Sequence, residues 1–347
     1  MKIIQAQSPT AQEAHKLVKG LQSYFVTKLN ALSLEFGEGK SFEAISWGRD
    51  EGLHGGGERY EARDSSVFDR GSVNVSQVHY DDDDTKSLSS ATALSTIIHP
   101  NNPYAPSIHI HISWTQMRDG KGYWRVMADL NPSLINLSTL NKRRFLNTLE
   151  KVTGDLFSEG NAQGDRYFFI PSLDRHRGVA HYYLEGYNSG DFINDKIFIQ
   201  KIIEGVINTY ISIVTDELKA NPTFEQDVKK EQLAYHTLYL FQVLTLDRGT
   251  TSGLLVHNQN DVGIMGSLPS HIDRDLLKSW IPKMTQPQDK LLQSLINALP
   301  NTNPTPIEED TKIKLANAVR EHYKAHKEAL SLQASGGIIP PTVDNHR

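Results

Sequence analysis

The chain contains no cysteine among its 347 residues, and this absence excludes several kinds of functional site. Thiol nucleophiles, thiolate zinc sites, cysteine-ligated iron–sulfur clusters and cysteine-ligated haem all require the missing side chain. The chemistry left to the chain uses carboxylates, arginines and fourteen histidines.

An excess of positive charge is also missing. The 36 Lys and Arg residues are outnumbered by 41 Asp and Glu residues, so the formal net charge is −5 at pH 7. A mildly acidic chain gives no indication of a nucleic-acid partner. Hydrophobic residues make up 38% of the chain, an ordinary globular proportion that excludes a collagen, a disordered tail and a disulfide scaffold.

Long apolar runs are absent as well. A membrane-spanning helix needs roughly 18 or more apolar residues, whereas the longest apolar-rich segment, Phe192 to Val214, is interrupted by charged and amide side chains. That spacing predicts an amphipathic helix. The first residues lack the charged-then-apolar layout of a secretory signal. We therefore expect no membrane span and a cytoplasmic location.

The apolar pattern predicts a group of strands with helices before and after it. Alternating or continuous apolar runs predict strands over Gly71–Tyr80, Ser95–Pro100, Ser107–Trp114 and Tyr123–Leu130. Helical spacing predicts helices over Thr10–Leu34, Leu140–Phe157, Asn194–Leu218, Glu225–Tyr239 and Gln288–Leu299. A further strand is predicted over Leu240–Leu246, a turn at Asp247–Thr250, and a hairpin from Leu254–Val256 and Ile264–Leu268.

Clustered strands flanked by helices indicate an α+β fold with a large, mostly antiparallel sheet. No internal repeat or low-complexity linker divides the chain. We expect one domain over residues 1–300. A C-terminal extension, residues 301–347, follows it, with a helix over Glu308–Leu332 and a flexible tail.

The stretch Trp47–Tyr60 is rich in glycine but lacks the spacing of a phosphate-binding loop. We expect tight turns and a loop that passes close to another backbone or to a ligand. The neighbouring Arg49, Arg59 and Arg63 suit an anionic group, although arginines are common on any protein surface. The acidic run Asp81–Asp84 is interpreted as a solvated loop, because calcium ligands are spaced rather than contiguous.

Histidines mark the middle of the predicted sheet. His109 and His111 share one face of their strand, because side chains alternate along a strand, and His99 lies on the neighbouring strand. Imidazoles grouped in this way bind a metal or carry protons, whereas a single histidine is more often structural. The three histidines are therefore candidate ligands of a divalent metal, and proton transfer is the alternative.

Asp247 and Arg248 stand next to a glycine at the end of a predicted strand. They can cap a turn as an ion pair. Alternatively, a carboxylate beside a guanidinium can orient the amine and the acid group of one substrate.

Six motifs follow one another along the chain. They are Trp47–Gly57 (WGRDEGLHGGG), Phe68–His79 (FDRGSVNVSQVH), Ser95–His109 (STIIHPNNPYAPSIH), Asp129–Pro132 (DLNP), Asp247–Gly253 (DRGTTSG) and Ser267–Pro269 (SLP). In sequence and in order, these motifs resemble those of the oxygen-dependent coproporphyrinogen III oxidase family. The chain is identified as a divergent member of that family.

The resemblance implies a large antiparallel sheet with helices packed on both faces, a homodimer, and a substrate bound between sheet and helices. It implies oxidative decarboxylation of propionate side chains to vinyl groups, with molecular oxygen as co-substrate and no organic cofactor. By position, Ser95 contacts the substrate and His109 donates a proton. Asp247 binds a pyrrole nitrogen, and Arg248 binds a carboxylate.

The sequence departs from the family at positions that surround the substrate. Expected arginines are replaced by Asn101 and Ser113, expected glycines by Arg125–Met127, and a Gly-Gly-Arg by His257–Gln259. Removing an arginine that pairs with a carboxylate costs about 2–5 kcal/mol of binding, so tight recognition of four propionates is not expected. His111, Ser113 and Asn258 are candidate substrate contacts in this divergent site.

We therefore expect an oxygen-dependent oxidase that decarboxylates or desaturates a carboxylate-bearing substrate. The substrate is a porphyrinogen bound unusually or, in preference, a smaller molecule. The alternative is a catalytically silent protein that binds a tetrapyrrole or a related anion on the same scaffold. A metal hydrolase is a distant third interpretation. His322 and His326 have the spacing of a His-x-x-x-His pair but lack the glutamate of a HExxH zinc motif, so a solvated helix face is preferred.

Overall fold

The computed structural model describes residues 2–256 and 260–337. Seven strands form one sheet in their order along the chain, and every neighbouring pair is antiparallel. They are β1 (Glu43–Gly48), β2 (Gly55–Glu61), β3 (Phe68–His79), β4 (Leu88–Pro100), β5 (Ser107–Met117), β6 (Gly122–Asn131) and β7 (Ala180–Tyr187). The predicted α+β fold with a large antiparallel sheet is confirmed.

Helices cover both faces of this sheet. They are α1 (Pro9–Phe36), α2 (Thr139–Thr153), α3 (Phe157–Phe168), α4 (Phe192–Ala220), α5 (Gln226–Thr245), α6 (Arg248–Val256), α7 (Asp261–Ile264), α8 (Arg274–Ser279), α9 (Gln288–Ala298) and α10 (Glu309–Ala325). The long helices α1 and α4 and the shorter α2 share a core with one face of the sheet. The helices from α5 onward build a second core near the other face.

The strand register separates an apolar face from a polar face. Ile110 pairs with Ala128, and the next residue, His111, pairs with Met127 on one side and Ser95 on the other. Because side chains alternate along each strand, every second position of β5 faces the same layer. The apolar face packs on α1 and α4, and the polar face is left to line a cavity.

The apolar face supplies the centre of the main core. Ile108, Ile110 and Ile112 are fully buried there. Burying each of these side chains contributes about 1.5–3 kcal/mol to folding. This dense layer fixes the positions of the alternate, polar residues of β5.

Helix α4 is long and apolar enough to cross a membrane, judged by length and composition alone, and no other helix of the described residues is. Ten of its residues are buried, nine of them in the core it shares with α1 and the sheet. Its Lys196 pairs with Glu13 of α1 at 2.7 Å. These contacts are those of an amphipathic core helix, as its sequence predicts.

The strand predicted over Leu240–Leu246 is wrong, because these residues form the last turns of α5 and its C-cap. A short apolar run is compatible with either a buried strand or a buried helix. Every residue from Tyr235 to Thr245 is buried. A helix that is buried all round has no polar face from which its period can be recognised.

The hairpin predicted from Leu254–Val256 and Ile264–Leu268 is also wrong, since α6, α7 and a following 3-10 turn occupy these segments. The turn predicted at Asp247–Thr250 is the start of α6. There Asp247 Oδ1 accepts a hydrogen bond from the Thr250 amide at 2.6 Å. Aspartate is favoured at this position because it satisfies an amide that has no partner within the helix.

The C-terminal extension packs onto the second core. Helix α10 ends at Ala325, earlier than predicted, and a 3-10 segment over Lys327–Leu332 follows it. Leu315 and Val319 of α10 are buried in the same cluster as α9 and α5. Of the predicted tail, residues 338–347 lie outside the described residues.

Candidate functional site

A cavity of about 290 Å³ lies between the polar face of the sheet and helices α5 to α7. The middle strands contribute Ser95, His109, His111, Ser113 and Arg125 to its wall, and the start of α6 contributes Asp247 and Arg248. Strands that are adjacent in the sheet and a helix N-terminus thus converge on one space. Most of the residues predicted to form a site meet here.

His109 is held by a buried carboxylate on the next strand. Its Nδ1 lies 2.8 Å from Oδ1 of Asp129, which is its register partner on β6. The other oxygen of Asp129 accepts hydrogen bonds from Arg177 at 2.7 Å and from Asn131 at 2.6 Å. Asp129 was not predicted as a site residue, although its place in the DLNP motif marks it in the sequence.

Asp129 is ionised in this network. Burial alone would raise its pKa, but the charges of Arg177 and His109 and the hydrogen bonds from His109 and Asn131 lower the pKa of Asp129 to about 2. An ionised carboxylate only accepts hydrogen bonds. His109 Nδ1 therefore donates to Asp129, and Nε2 is the nitrogen left for proton exchange with a ligand.

Arg177 completes the support of this pair. Its guanidinium is almost completely buried, donates to Gln242 at 2.8 Å, and lies over the rings of Phe168 and Tyr239. A guanidinium fixed by a carboxylate, an amide and two ring faces has little freedom to move. The chain Arg177–Asp129–His109 thus presents one oriented imidazole to the cavity.

His111 lies beside His109 on the cavity wall and has a different character. Its Nδ1 is 2.8 Å from Oγ of Ser95, and its Nε2 is 3.2 Å from Oγ of Ser113. Burial, together with the nearby charges of His109 and Arg125, lowers the pKa of His111 to about 3. His111 is therefore neutral at pH 7, and the two hydroxyls predicted as substrate contacts hold its ring.

His99 is displaced from the cavity, although it lies on the same face of the sheet. Its ring nitrogens contact Oγ of Ser107 at 2.9 Å and the carbonyl of Ser267 at 3.2 Å. The ring packs edge-on against Tyr239, with 4.6 Å between the ring centroids. Complete burial holds the pKa of His99 well below its usual value. This histidine connects β4 to the segment after α7.

The predicted metal site at His99, His109 and His111 does not fit this arrangement. Both ring nitrogens of His99 and of His111 are already used by hydroxyl or carbonyl groups. Among residues 2–256 and 260–337, no three His, Asp or Glu side chains are grouped so as to hold one metal ion. The histidines instead divide into one imidazole oriented by a carboxylate and two whose ring nitrogens contact hydroxyl or carbonyl groups.

The two carboxylate oxygens of Asp247 accept hydrogen bonds from two different parts of the chain. Its Oδ1 caps α6, and its Oδ2 accepts a hydrogen bond from the Tyr167 hydroxyl at 2.8 Å. The side chain is half-buried and lines the cavity. Carboxylate oxygens have several lone pairs, so Asp247 can also accept a hydrogen bond from a ligand N–H group.

Arg248 is engaged by a carboxylate of the protein itself. Its guanidinium forms an ion pair with Glu185 of β7, which also accepts hydrogen bonds from the Tyr183 hydroxyl at 2.8 Å and the Gly336 amide at 2.9 Å. The guanidinium that was predicted to bind a substrate carboxylate thus pairs with a carboxylate of the protein, and its role toward a substrate stays a prediction. No strand was predicted over β7, so its polar, inward-facing Glu185 was missed.

Arg125 also lines the cavity, although it was not predicted as a site residue. It lies directly opposite Ser113 in the sheet register and donates to the Tyr123 hydroxyl at 3.4 Å. The alternation of β6 could have indicated it, because Arg125, Met127 and Asp129 occupy every second position and face the same side. The predicted contact Asn258 lies outside the described residues.

Comparisons of the sequence with known proteins identify one family. The family model for coproporphyrinogen III oxidase matches residues 13–299. The mitochondrial oxygen-dependent coproporphyrinogen-III oxidase of Rattus norvegicus is 28% identical over 253 residues, which cover 66% of this chain and 56% of the relative. The corresponding Homo sapiens protein is 27% identical over 256 residues, which cover 67% and 55%.

The matched part of the chain thus spans just over half the length of these curated relatives. The family match includes all seven strands and the helices α2 to α9, and it ends before α10. Every cavity residue described above falls within it. From the sequence motifs, the antiparallel sheet and the extent of the match, the chain belongs to the coproporphyrinogen III oxidase family.

Proposed function

We propose that this chain catalyses the oxygen-dependent oxidative decarboxylation of a carboxylate-bearing substrate smaller than a tetrapyrrole. The observation that carries the proposal is the oriented imidazole of His109, fixed in the cavity by Asp129 and Arg177. The family match and the names of the relatives support the reaction class.

The proposed reaction balances without an organic cofactor. A propionate group, R–CH2–CH2–COO⁻, reacts with O2 and one proton to give R–CH=CH2, CO2 and H2O2. The C–C bond to the carboxylate breaks, its electron pair forms the new double bond, and a hydride equivalent is transferred to oxygen. The protein must therefore bind the carboxylate, orient the adjacent ring and move one proton.

His109 is the residue proposed to move that proton. General acid–base catalysis by a positioned side chain contributes about 10²–10⁴-fold to a rate. Nε2 is the exchanging nitrogen, because Nδ1 is held by the ionised Asp129. Neutral His111 beside it provides a hydrogen-bonding wall that does not compete for the proton.

Asp247 and Arg125 are proposed to orient the substrate. Asp247 accepts a hydrogen bond from a ring N–H group, as its position at the cavity wall allows. Arg125 binds the carboxylate. The resemblance leads one to expect an arginine at Ser113. Arg125 is the register partner of Ser113, so the guanidinium comes from the neighbouring strand, whose backbone lies about 4.8 Å away.

The size of the cavity supports a small substrate. About 290 Å³ lies just below the roughly 300–1,000 Å³ range of pockets that enclose drug-sized ligands. Arg125 and Met127 both project into this space from positions where glycines were expected. A substrate with one ring and one propionate satisfies the two proposed contacts, and four propionates would need further cations.

Oxygen uptake distinguishes the proposed substrate class from the one named for the relatives. Wild-type protein is assayed with 3-(pyrrol-3-yl)propionate and with coproporphyrinogen III in parallel. We expect a higher kcat/KM with the monopyrrole, together with CO2 release. Faster turnover of coproporphyrinogen III would overturn the proposed size selectivity and leave the reaction class standing.

A catalytically silent binding protein is a second candidate, favoured by the ion pair between Arg248 and Glu185. This pair removes one predicted anchor from the substrate. Purified protein that carries a stoichiometric visible pigment and consumes no oxygen would support this candidate. The homodimer and the cytoplasmic location stay predictions, and light scattering tests the first of them.

A further inference from the structure

A group of basic side chains lies where the end of β2 meets the beginning of β3, outside the cavity lining. It consists of Arg59, Arg70 and Lys312, which we call the basic cluster. Arg59 and Lys312 are nearly completely buried, at 4% and 5% exposure. Buried cations are rare unless they are paired with an anion, so the partners of each one decide what this cluster does.

Arg59 has one carboxylate partner. Its Nε donates to Glu61 at 2.7 Å, on the same face of β2. That carboxylate is shared, because its other oxygen lies 3.3 Å from the guanidinium of Arg63. Glu61 therefore cannot neutralise the whole cluster.

Arg70 reaches the same face from β3. In the register, Glu61 pairs with Ser72, and Arg70 stands two residues from Ser72 with the same orientation. Its buried Nε has no hydrogen-bond partner among the described residues. A buried guanidinium nitrogen without a partner forfeits the hydrogen bonds it had in water.

Lys312 enters the cluster from helix α10. Among the described residues, no hydrogen bond or ion pair is formed by its ammonium group. Burial and the positive charges of Arg70 and Arg59 lower the pKa of Lys312 to about 8, against the opposing effects of Glu61 and Glu309. The three cations of the cluster and Arg63 thus outnumber the nearby carboxylates Glu61 and Glu309.

We propose that the basic cluster is a binding site for a small oxyanion, either free phosphate or a carboxylate group. Guanidinium forks match the oxygens of both groups in geometry, and an ammonium adds a point charge. An anion here would supply the charge and the hydrogen-bond acceptors that Arg70 and Lys312 lack in the described structure.

The basic cluster combines residues from inside the part of the chain that the family model matches with one residue after it. The family match ends at residue 299, whereas Lys312 belongs to α10. Helix α10 also holds α7 through an ion pair between Arg320 and Asp261. A bound anion would therefore connect α10 to the sheet, next to α7, which lines the cavity.

The position of Arg59 connects the site to the cavity. A Cβ added at Gly263 would collide with the Arg59 guanidinium, and one at Gly266 would lie 3.6 Å from Ser72 Oγ. Gly263 and Ser72 both line the cavity. The two sites are thus neighbours separated by the backbone of α7, and anion binding is expected to stabilise the cavity wall.

Thermal unfolding with inorganic phosphate and with acetate tests the proposal at pH 7.5 and constant ionic strength. A ligand that binds only the folded state raises Tm as its concentration exceeds Kd. We expect a saturable rise in Tm for the wild type, at least a tenfold loss of affinity in Lys312→Met, and retention in Lys312→Arg. Lys314→Gln removes an exposed lysine of the same helix and is the matched control.

The two anions identify the source of the ligand. Tighter binding of phosphate assigns the site to free phosphate, and tighter binding of acetate assigns it to a carboxylate. No saturable shift with either anion would overturn the proposal. Equal rises in Tm for the wild type and for the separate variants Lys312→Met and Arg70→Gln would also overturn it. Circular dichroism establishes that each variant is folded.

Discussion

Replacement of Asp129 by asparagine removes the charge at the centre of the candidate site and keeps its shape. Asp129 accepts hydrogen bonds from His109, Arg177 and Asn131 and is fully buried. Asparagine has a single acceptor oxygen, so it cannot serve all three donors. Arg177 then stays buried without a counter-charge.

The expected loss in free energy of unfolding follows from that unpaired cation. Removing one partner of a buried ion pair costs about 3–5 kcal/mol, because the remaining charge is left without compensation. We therefore expect Asp129→Asn to lower the free energy of unfolding by about that amount. Activity is expected to fall by roughly 10²–10⁴-fold as well, because nothing then fixes the proton on His109 Nδ1.

A double variant separates the ion pair from general damage to the core. In Asp129→Asn combined with Arg177→Met, no cation is left unpaired, so about 1–3 kcal/mol of the loss should be recovered as coupling energy. Asp165→Asn is the matched control. Asp165 also holds a histidine, His181, at 2.7 Å, but its carboxylate is 49% exposed, so its loss should cost less than about 1 kcal/mol.

Urea denaturation followed by circular dichroism measures five proteins: the wild type, the single variants Asp129→Asn and Arg177→Met, their double variant, and Asp165→Asn. The reasoning would be refuted by a double variant whose loss equals the sum of the two single losses. It would also be refuted if Asp129→Asn were no less stable than Asp165→Asn.

Three further predictions concern binding, acid stability and packing. Arg125→Gln should weaken carboxylate binding by about 2–5 kcal/mol, seen in steady-state kinetics as a higher KM with a smaller change in kcat; an unchanged KM would exclude Arg125 as the carboxylate ligand. Burial lowers the pKa of His111 to about 3 and of His236 to about 4, below the roughly 6.5 of unfolded histidine. Between these values the unfolded chain binds more protons, so stability is complete above about pH 6.5 and falls on acidification by about 1.4 kcal/mol per pH unit for each histidine. His236→Asn should flatten that slope in denaturation series from pH 7 to 4.5, and an unchanged slope would contradict the assigned burial effect. Ile110→Ala should lower the free energy of unfolding by about 2–5 kcal/mol, which urea denaturation measures, and a loss below 1 kcal/mol would show that the apolar face is loosely packed.

The sheet could be predicted from the sequence because its two faces have different polarity. The alternation of Ser107–Trp114 predicts both the strand and the shared face of His109 and His111, and the register confirms it. The same argument fails for Leu240–Leu246, where burial on all sides removes the polar positions that would reveal a helix. Periodicity is informative only where one side of an element meets water or a polar cavity.

The position of the candidate site was predicted from the sequence, but the hydrogen-bond and ion-pair partners of its residues were not. His109, His111 and Asp247 all reach the cavity. The partners of His109 and Arg248 are Asp129 and Glu185, which approach from other strands. Such partners depend on three-dimensional pairing, so a single sequence does not indicate which carboxylate neutralises which cation.

The central claim is that His109, oriented by Asp129, moves the proton in an oxygen-dependent decarboxylation. Release of labelled CO2 from carboxyl-labelled 3-(pyrrol-3-yl)propionate, measured with and without oxygen for the wild type and His109→Asn, tests it most directly. We predict oxygen-dependent release by the wild type and a loss of at least about 100-fold in the variant. Equal release by both proteins, or release that does not depend on oxygen, would contradict it.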